Sequence, residues 1–332
     1  MKNFKNRKKI RLAIIGCGNI AKFHIKSFKK LGVNFSHCAS SFNSKTLSEF
    51  AKKHDIKNIW NDPFKLAKAS IHWDGLVLSP KTEAIPELLD ILIRQKKPIL
   101  VEKPVSIGTK YLKKFRTSRN NLVQVAYNRR FYPTILRAKE FIDHSKNQIL
   151  CKMILPEKVN NNKNPFKKFS KIFENSSHGI DLLHFLFGKL TIKHVSKINF
   201  NSLDSGRAVI LSNGKNHTCI LIINSNSPDN FSIELEDGNQ RLLIQPFERL
   251  QIFQGIKIED PTKKYPLRKY SPNIVENKNI FEFNKKITGI KPGFYSQSLN
   301  FCDLILTRKN KFGADLKDAY EAQKLLEDIM LS

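Results

Sequence analysis

A short apolar run that ends in two closely spaced glycines constrains this fold most. The run RLAIIGC at residues 11–17 has the composition of a buried strand, and residues 21–32 have the apolar spacing of a helix. Gly16 and Gly18 mark a tight turn between the two segments. A strand, a tight turn and a helix in direct succession predict the start of a parallel sheet covered by helices.

The same alternation continues to about residue 125. Five strand-like segments are predicted, at residues 11–17, 35–41, 74–79, 96–104 and 121–128. Helix-like segments separate them, including one predicted over 84–96 and one over 108–118. Strands that alternate with helices of this length predict a parallel sheet with helices on both faces.

The pattern changes after residue 126. A helix over 133–145 and a strand over 148–155 precede a helix over 176–188, and antiparallel strands are predicted between 191 and 258. Helices over 294–307 and 315–330 close the sequence. We predict an α/β protein with a Rossmann domain at 1–125. We also predict an α+β domain at 126–332 with an open, mostly antiparallel sheet, from which the C-terminal helix packs back on the first domain.

Composition supports two domains and excludes several classes of protein. A chain of 332 residues exceeds the usual size of a single core, and 40% hydrophobic residues suffice for ordinary cores. No apolar stretch is long enough to span a membrane, and we expect a cytoplasmic protein. The five cysteines lie far apart without a CxxC pair, which argues against a disulfide framework and against a zinc site, so we expect no metal.

The formal net charge of +29 has two interpretations. The lysines are scattered, which favours an ordinary solvated surface, while a general attraction for phosphorylated substrates is the alternative. No zinc-finger, RRM or helix-turn-helix pattern accompanies the charge, and we expect no specific nucleic acid partner.

The segment Gly16-Cys17-Gly18-Asn19-Ile20-Ala21 fits the G-x-G-x-x-G/A fingerprint of dinucleotide-binding domains. The glycines allow a tight turn and a close approach to a pyrophosphate, and the helix N-terminus favours an anion. A plain βα turn without a ligand is the alternative. After the second strand, Ser40-Ser41-Phe42-Asn43 carries neither the acidic residue typical of NAD nor the arginine typical of NADP, so both cofactors stay open.

The fourth strand ends in Glu102-Lys103-Pro104, where the carboxyl ends of parallel strands bind ligands. A lysine at this position can donate a hydrogen bond to a substrate hydroxyl and assist a proton transfer. The alternative is an exposed ion pair that contributes at most about 1 kcal/mol.

A second polar cluster lies on the helix that contains Glu174, His178 and Asp181. Spacings of four and three place these side chains on one helical face, where they form a candidate proton-handling array. A capping glutamate with a surface histidine is the alternative, and a zinc site is disfavoured because no third ligand is evident.

Together these motifs resemble the Gfo/Idh/MocA family of nicotinamide-dependent oxidoreductases. In order, they are GCGNIA with His24 after it, Ser79-Pro80, the Glu102 motif, YNRRF at 127–131, the His178-x-x-Asp181 helix, and a closing helix like ADLKDAYEAQKLLEDI. The resemblance implies that Lys103 contacts the substrate, that His178 is the acid/base and that Asp181 binds the substrate. The implied cofactor-binding residues are Gly16, Gly18, Asn19, Ile20, Ser41, Ser79, Pro80, Glu102 and Lys103.

Two positions depart from the family pattern. Glu174 stands where many members carry Asp, so we expect it to join Lys103 and His178 in catalysis with a longer side chain. SPKTEAIP at 79–86 replaces the commoner TPxxxH, which changes one edge of the nicotinamide pocket.

The expected reaction is the interconversion of a hydroxyl and a ketone on a sugar, with NAD or NADP. Arg129 and Arg130, together with the basic chain, favour a nucleotide-linked or acidic sugar of surface-polysaccharide synthesis, although each arginine can equally be a solvated charge. The alternatives are a free-sugar or inositol dehydrogenase of the same fold, and a non-catalytic sensor of nicotinamide or sugar. The family implies an oligomer built through the open sheet, and we expect a homodimer or homotetramer.

Overall fold

The computed structural model describes residues 7–41, 44, 46–69, 71–117, 122–200, 203–215, 217–225, 227–280 and 289–332. By internal contacts the chain divides into two units. The first contains residues 1–131 and 284–328, and the second contains residues 132–283 and 329–332. Phe42 and Asn43, quoted above after the second strand, lie outside the described residues.

The first unit contains a sheet of six parallel strands in the described part of the chain. They are β1 (Arg11–Ile15), β2 (Asn34–Ala39), β3 (Asn58–Trp60), β4 (Gly75–Leu78), β5 (Ile99–Val101) and β6 (Val123–Val125). Their spatial order is β3-β2-β1-β4-β5-β6, with every neighbouring pair parallel. This is the doubly wound order of a Rossmann sheet, which confirms the predicted fold class for the first unit.

The helices follow in chain order. They are α1 (Asn19–Lys30), α2 (Leu47–His54), α3 (Pro63–Lys68), α4 (Ile85–Ile93), α5 (Pro133–His144), α6 (Pro165–Lys168), α7 (Ser177–Phe187), α8 (Phe294–Thr307) and α9 (Leu316–Met330). Short 3-10 turns occupy Thr82–Ala84, Leu112–Phe115 and Asn128–Phe131, and a π-helical turn occupies Ile172–Ser176.

Helices cover both faces of the first sheet. Alternate residues of β1 enter different cores, Leu12 and Ile14 on one side and Ala13 and Ile15 on the other. Residues of α1, α2 and α8 join the first of these cores, and residues of α3, α4 and α9 join the second. A strand that is buried on both faces needs apolar residues at consecutive positions, which explains the apolar run in the sequence RLAII.

The second unit contains a mostly antiparallel sheet of eight described strands. They are β7 (Leu150–Pro156), β8 (Thr191–Phe200), β9 (Leu203–Ser212), β10 (Thr218–Asn224), β11 (Ser232–Glu236), β12 (Gln240–Ile244), β13 (Arg249–Glu259) and β14 (Lys269–Asn279). The spatial order is β14-β13-β12-β11-β7-β10-β9-β8, and β7 and β10 form the parallel pair. The predicted α+β class of the second part is confirmed.

Three details of the predicted secondary structure are wrong. The first sheet has a sixth strand, β3, which is only three residues long and largely exposed. The second sheet has an additional edge strand, β14, whose polar and proline-containing sequence does not show the alternation of a half-buried strand. The helix predicted over 108–118 is a single 3-10 turn at Leu112–Phe115 in its described part.

No helix in the described ranges is both long and apolar enough to cross a bilayer. All five cysteine side chains are buried.

Candidate functional site

The glycine turn is held against β4 by backbone contacts. Gly16 has φ +96°, and a Cβ atom built on it would lie 2.2 Å from the carbonyl oxygen of Ser79. The Gly16 amide donates a 2.8 Å hydrogen bond to the carbonyl oxygen of Ala39. Both the backbone angle and the lack of space exclude a side chain at Gly16, which explains the first glycine of the fingerprint.

Gly18 fulfils a different requirement. It precedes α1 at φ −82°, an angle that any residue adopts, and a Cβ atom there would meet no atom of the described part of the chain within 4 Å. Among the described residues no side chain caps the N-terminus of α1, so its first amide groups have no side-chain acceptor there. The open space above Gly18 and the uncapped amides fit the pyrophosphate of a dinucleotide, which needs a close approach of backbone and anion.

Cys17, between the two glycines, is a packing residue. Its Sγ donates a 3.5 Å hydrogen bond to the Ala39 carbonyl oxygen. A hydrogen bond with the Cys38 sulfur and burial raise the pKa of the Cys17 thiol far above its ordinary value. Cys17 therefore stays protonated near neutral pH and is unsuited to act as a nucleophile.

Ser79 stabilises the turn from β4. Its hydroxyl donates to the carbonyl oxygen of Gly16 at 3.1 Å and to that of Ile15 at 3.4 Å. Pro80 follows half-buried, and Ser41, beyond the end of β2, is exposed. The structure thus brings Ser79 to the glycine turn through its own hydrogen bonds, whereas Ser41 is accessible for a contact with a ligand.

The carboxyl end of β5 carries Glu102 and Lys103. Glu102 is buried, its amide donates to Leu78 at 2.8 Å, and its Oε1 lies 2.6 Å from Nε2 of His24. Its Oε2 accepts the backbone N–H of Lys103 at 3.2 Å. Lys103 is half-buried. Glu102 thus contacts α1 as well as its own strand end, so the acid of this motif is not an exposed partner of Lys103.

His24 is the functional candidate that sequence reasoning did not assign a role. It is fully buried on α1, between Ala21 and Phe28 on the face that packs into the core. The available signal was its spacing, because residues 21, 24 and 28 share one helical face and a buried histidine needs a polar partner.

In the second unit, α7 carries two of the predicted residues. His178 and Asp181 lie in its first two turns, and both are buried. Gly179 lies between them, and a Cβ atom there would approach Leu155 of β7 to 2.6 Å. A glycine next to His178 therefore lets α7 pack closely on the sheet.

Glu174 lies outside this helix. It belongs to the π-helical turn Ile172–Ser176, and its Oε2 accepts a 2.7 Å hydrogen bond from Nζ of Lys171. The Glu174 side chain is 34% exposed. Its carbonyl oxygen also accepts the Ser177 hydroxyl at 2.8 Å. The continuous helix predicted to carry Glu174 and His178 is therefore interrupted by a wider turn, a feature often found at functional sites.

Arg129 and Arg130 lie in the 3-10 turn that follows β6. Arg130 is buried, and its Nη1 donates to Oδ2 of Asp318 on α9 at 3.2 Å. Arg129 is half-buried. Asn128 of the same turn donates to the carbonyl oxygen of Pro292 at 3.1 Å. These bonds connect the turn to the C-terminal part of the first unit.

The structure therefore brings together Gly16, Ser79 and the β1 and β2 strand ends, and separately joins His24 to the β5 strand end. Both clusters lie at the carboxyl side of the first sheet, where Rossmann domains bind dinucleotides. Glu174, His178 and Asp181 belong to the second unit.

Residues 10–127 match the family model of the Gfo/Idh/MocA oxidoreductases, which is described as an oxidoreductase family with an NAD-binding Rossmann fold. The resemblance predicted from the motifs is therefore confirmed, and with it the nicotinamide dinucleotide as cofactor. A search of curated proteins finds no match.

Solved structures share the fold over nearly the whole chain. A dehydrogenase from Clostridium difficile is 20% identical with a TM-score of 0.70, and the match covers 97% of this chain and 99% of that one. A UDP-N-acetylglucosamine 3-dehydrogenase from Acidithiobacillus ferrooxidans is 11% identical with a TM-score of 0.72, covering 97% of each. An oxidoreductase from Agrobacterium radiobacter, solved with NAD+, L-tartaric acid and magnesium, is 14% identical with a TM-score of 0.71, covering 96% of this chain and 94% of that one.

Proposed function

We propose that this protein, whose residues 10–127 belong to the Gfo/Idh/MocA oxidoreductase family, is an NAD(P)-dependent dehydrogenase that interconverts a hydroxyl and a ketone on a sugar. The observation that carries the proposal is the glycine turn. Gly16 is packed on Ser79 and Gly18 faces open space, at the carboxyl edge of a parallel sheet that also ends in Glu102-Lys103. Open space alone is also found at Gly188 and Gly214, so the support comes from its combination with the packed Gly16 and the adjoining N-terminus of α1.

The cofactor-binding residues proposed are those around this edge. They are Gly16, Gly18, Asn19, Ile20, Ser41, Ser79, Pro80, Glu102 and Lys103. The turn residues accommodate the pyrophosphate, and the exposed hydroxyl of Ser41 accepts or donates a hydrogen bond at the adenosine ribose. Because a serine hydroxyl serves either a free or a phosphorylated ribose, NAD and NADP are both part of the proposal.

The catalytic roles fall to Lys103, His178 and Glu174. When bound, the nicotinamide supplies the hydride acceptor or donor. Lys103 donates a hydrogen bond to the reacting oxygen of the substrate and stabilises charge that develops there. His178 takes the hydroxyl proton during oxidation and returns it during reduction. Glu174 adds negative charge in the turn before α7, and Asp181 binds a substrate hydroxyl.

The proposed substrate is a nucleotide-linked or acidic sugar of surface-polysaccharide synthesis. Arg129 and Arg130 are both candidates for binding an anionic group, and Nη1 of Arg130 is in addition bonded to Asp318. The net charge of +29 favours anionic ligands in general. A protein of the same fold acts on UDP-N-acetylglucosamine, which supports this class without assigning the substrate.

A free-sugar or inositol dehydrogenase is the main alternative, and a non-catalytic sensor is the second. A dehydrogenase of nucleotide-linked sugars is distinguished from a free-sugar dehydrogenase by incubating the purified protein with NAD+ or NADP+ and matched pairs of free and nucleotide-linked sugars. Formation of reduced nicotinamide only with nucleotide-linked sugars supports the proposal. Formation only with free sugars contradicts it and favours the free-sugar dehydrogenase. The sensor predicts cofactor binding without turnover for every sugar.

Mass spectrometry of small molecules retained by the native protein tests the proposal without a choice of substrate. We expect NAD(H) or NADP(H) in the wild type and its loss in Gly18→Ala. Retention of a different nucleotide, or equal retention by the variant, would contradict the assigned cofactor site. A cytoplasmic homodimer or homotetramer completes the proposal, and light scattering of the purified protein measures the subunit number.

A further inference from the structure

The buried pair of His24 and Glu102 joins two parts of the first unit that lie far apart in sequence. Nε2 of His24 on α1 and Oε1 of Glu102 at the end of β5 are 2.6 Å apart, across 78 positions of the chain. His24 is 0% exposed and Glu102 is 9% exposed. Burial of two polar side chains is costly unless they pair, so this contact fixes both of them.

The same carboxylate holds the backbone of the neighbouring lysine. While Oε1 contacts His24, Oε2 accepts the N–H of Lys103 at 3.2 Å. The amide of Glu102 is bonded to Leu78 of the adjacent strand at 2.8 Å. The point at which Lys103 leaves the sheet is therefore fixed by the Glu102 carboxylate, and the Glu102 carboxylate is fixed by His24.

His24 is itself held by the start of α8. The ring centroids of His24 and Phe294 are 5.1 Å apart, and Phe294 is buried. One turn along α1, the Ser27 hydroxyl donates a 2.9 Å hydrogen bond to the carbonyl oxygen of Phe294. Among the described residues Nδ1 of His24 has no hydrogen-bond partner, so Nε2 carries the polar contact of this imidazole.

We infer that His24 is a positioning residue for Lys103, acting through Glu102. This inference rests on the proposed function, because it matters for turnover only if Lys103 contacts the substrate. Removal of the imidazole frees the Glu102 carboxylate to rotate, and the backbone N–H of Lys103 loses its fixed acceptor. A displacement of about 1 Å at a group that contacts the reacting oxygen lowers a rate by up to roughly 100-fold. The glycine turn that would hold the pyrophosphate is unchanged, so cofactor affinity should fall far less than kcat, although Glu102 and Lys103 also belong to the proposed cofactor edge.

The test compares His24→Gln with His24→Met. Both side chains are unbranched and similar in length, but only glutamine carries an N–H donor that can reach Glu102. We expect His24→Met to lower kcat by roughly 10- to 100-fold and His24→Gln to retain most of it. We expect both to bind NADH or NADPH, measured by its fluorescence, within about threefold of wild type. Ile25→Val, a buried change on the same helix, is the control for a general loss of packing and leaves kcat unchanged.

Equal kcat values in the two variants would overturn the inference, whether both are high or both are low. If His24→Met does not fold, His24→Asn replaces it, because asparagine carries the same donor without the reach. A low kcat of His24→Asn together with a high kcat of His24→Gln then supports the inference, and equal kcat values of these two variants overturn it. The variant Lys103→Ala distinguishes a failure of the proposed function from a failure of the role inferred for His24. Wild-type turnover in Lys103→Ala contradicts the proposed function, whereas a large loss there with no change in His24→Met contradicts only the role of His24.

Discussion

Two glycines, Gly16 and Gly179, show how differently the two units secure their candidate residues. A Cβ atom on Gly16 would lie 2.2 Å from a backbone oxygen of Ser79, and Gly16 has a positive φ of +96°. A Cβ atom on Gly179 would approach only the end of the Leu155 side chain, at 2.6 Å, from a helical backbone. The position of the glycine turn in the first unit is thus fixed by contact between two backbone segments. The position of α7 in the second unit is fixed by contact with a side chain.

The difference indicates which parts of the molecule tolerate change. Backbone atoms of a central strand cannot move without loss of the sheet, whereas a leucine side chain can adopt another rotamer at a cost of about 0.5–1.5 kcal/mol. We therefore expect the cofactor side of the enzyme to be rigid and intolerant of substitution. The helix that carries His178 should accept small changes with a modest loss.

The largest effect is expected for Gly16→Ala. The left-handed backbone costs about 1–3 kcal/mol for a residue with a side chain, and the overlap with Ser79 adds to it. We expect a strong loss of thermal stability together with loss of NADH binding, measured by calorimetry and fluorescence titration. Wild-type stability of this variant would show that the turn is not held by backbone contacts.

His178→Ala is expected to have the next largest effect, now on turnover alone. Loss of an acid/base group lowers kcat by roughly 100- to 10,000-fold. NADH affinity should remain, because the glycine turn belongs to the other unit. Steady-state kinetics with the identified sugar provide the measurement. Unchanged kcat would remove His178 from the mechanism.

Gly18→Ala separates cofactor binding from folding. The methyl group enters open space at an ordinary φ, so the melting temperature of the cofactor-free protein should not change. Where a pyrophosphate approaches the backbone, the methyl group costs about 1–3 kcal/mol, which corresponds to a roughly 5- to 150-fold weaker Kd for NADH. Wild-type affinity would show that no ligand lies against Gly18.

Gly179→Ala is expected to destabilise the protein by about 1–2 kcal/mol, because the added methyl group displaces the Leu155 side chain. Chemical denaturation measures the change. Combining it with Leu155→Val, which removes a methylene group at the contact, should recover part of the loss. Additive destabilisation in the double variant would contradict direct contact between the two positions.

The smallest effect is expected for Glu174→Gln. Its ion pair with Lys171 is partly exposed, and such pairs contribute about 0.2–1 kcal/mol. If Glu174 acts on His178 only through its charge, kcat should fall by no more than roughly fivefold. A loss as large as that of His178→Ala would instead give Glu174 an equal share in the chemistry, and Lys171→Gln is the matched control for the ion pair.

The sequence predicted the parts of the fold that depend on local signals. The strand RLAII, the turn around Gly16 and the strand end at Glu102 each combine an apolar run with a glycine or a proline, and these patterns arise from neighbouring residues. The order of the parallel strands then follows from the few topologies that right-handed connections allow. The predicted Rossmann sheet was confirmed for these reasons.

The missed features depend on partners distant in sequence or on weak patterns. β3 has three residues at an exposed edge, and β14 is polar along most of its length, so neither shows a buried face. The π-helical turn before α7 has no composition that distinguishes it from an α-helix. The contact of His24 with Glu102 spans 78 positions, and neither the burial of His24 nor its partner was predicted.

The most direct test of the central claim is the absorbance of reduced nicotinamide after NAD+ or NADP+ is mixed with a panel of nucleotide-linked sugars. It should be run on wild type, Lys103→Ala and His178→Ala, with cofactor binding measured on the same samples. We predict sugar-dependent reduction by the wild type and a loss of at least about 100-fold in both variants, while both variants still bind the cofactor through the glycine turn. Cofactor binding with equal turnover in all three proteins would contradict it.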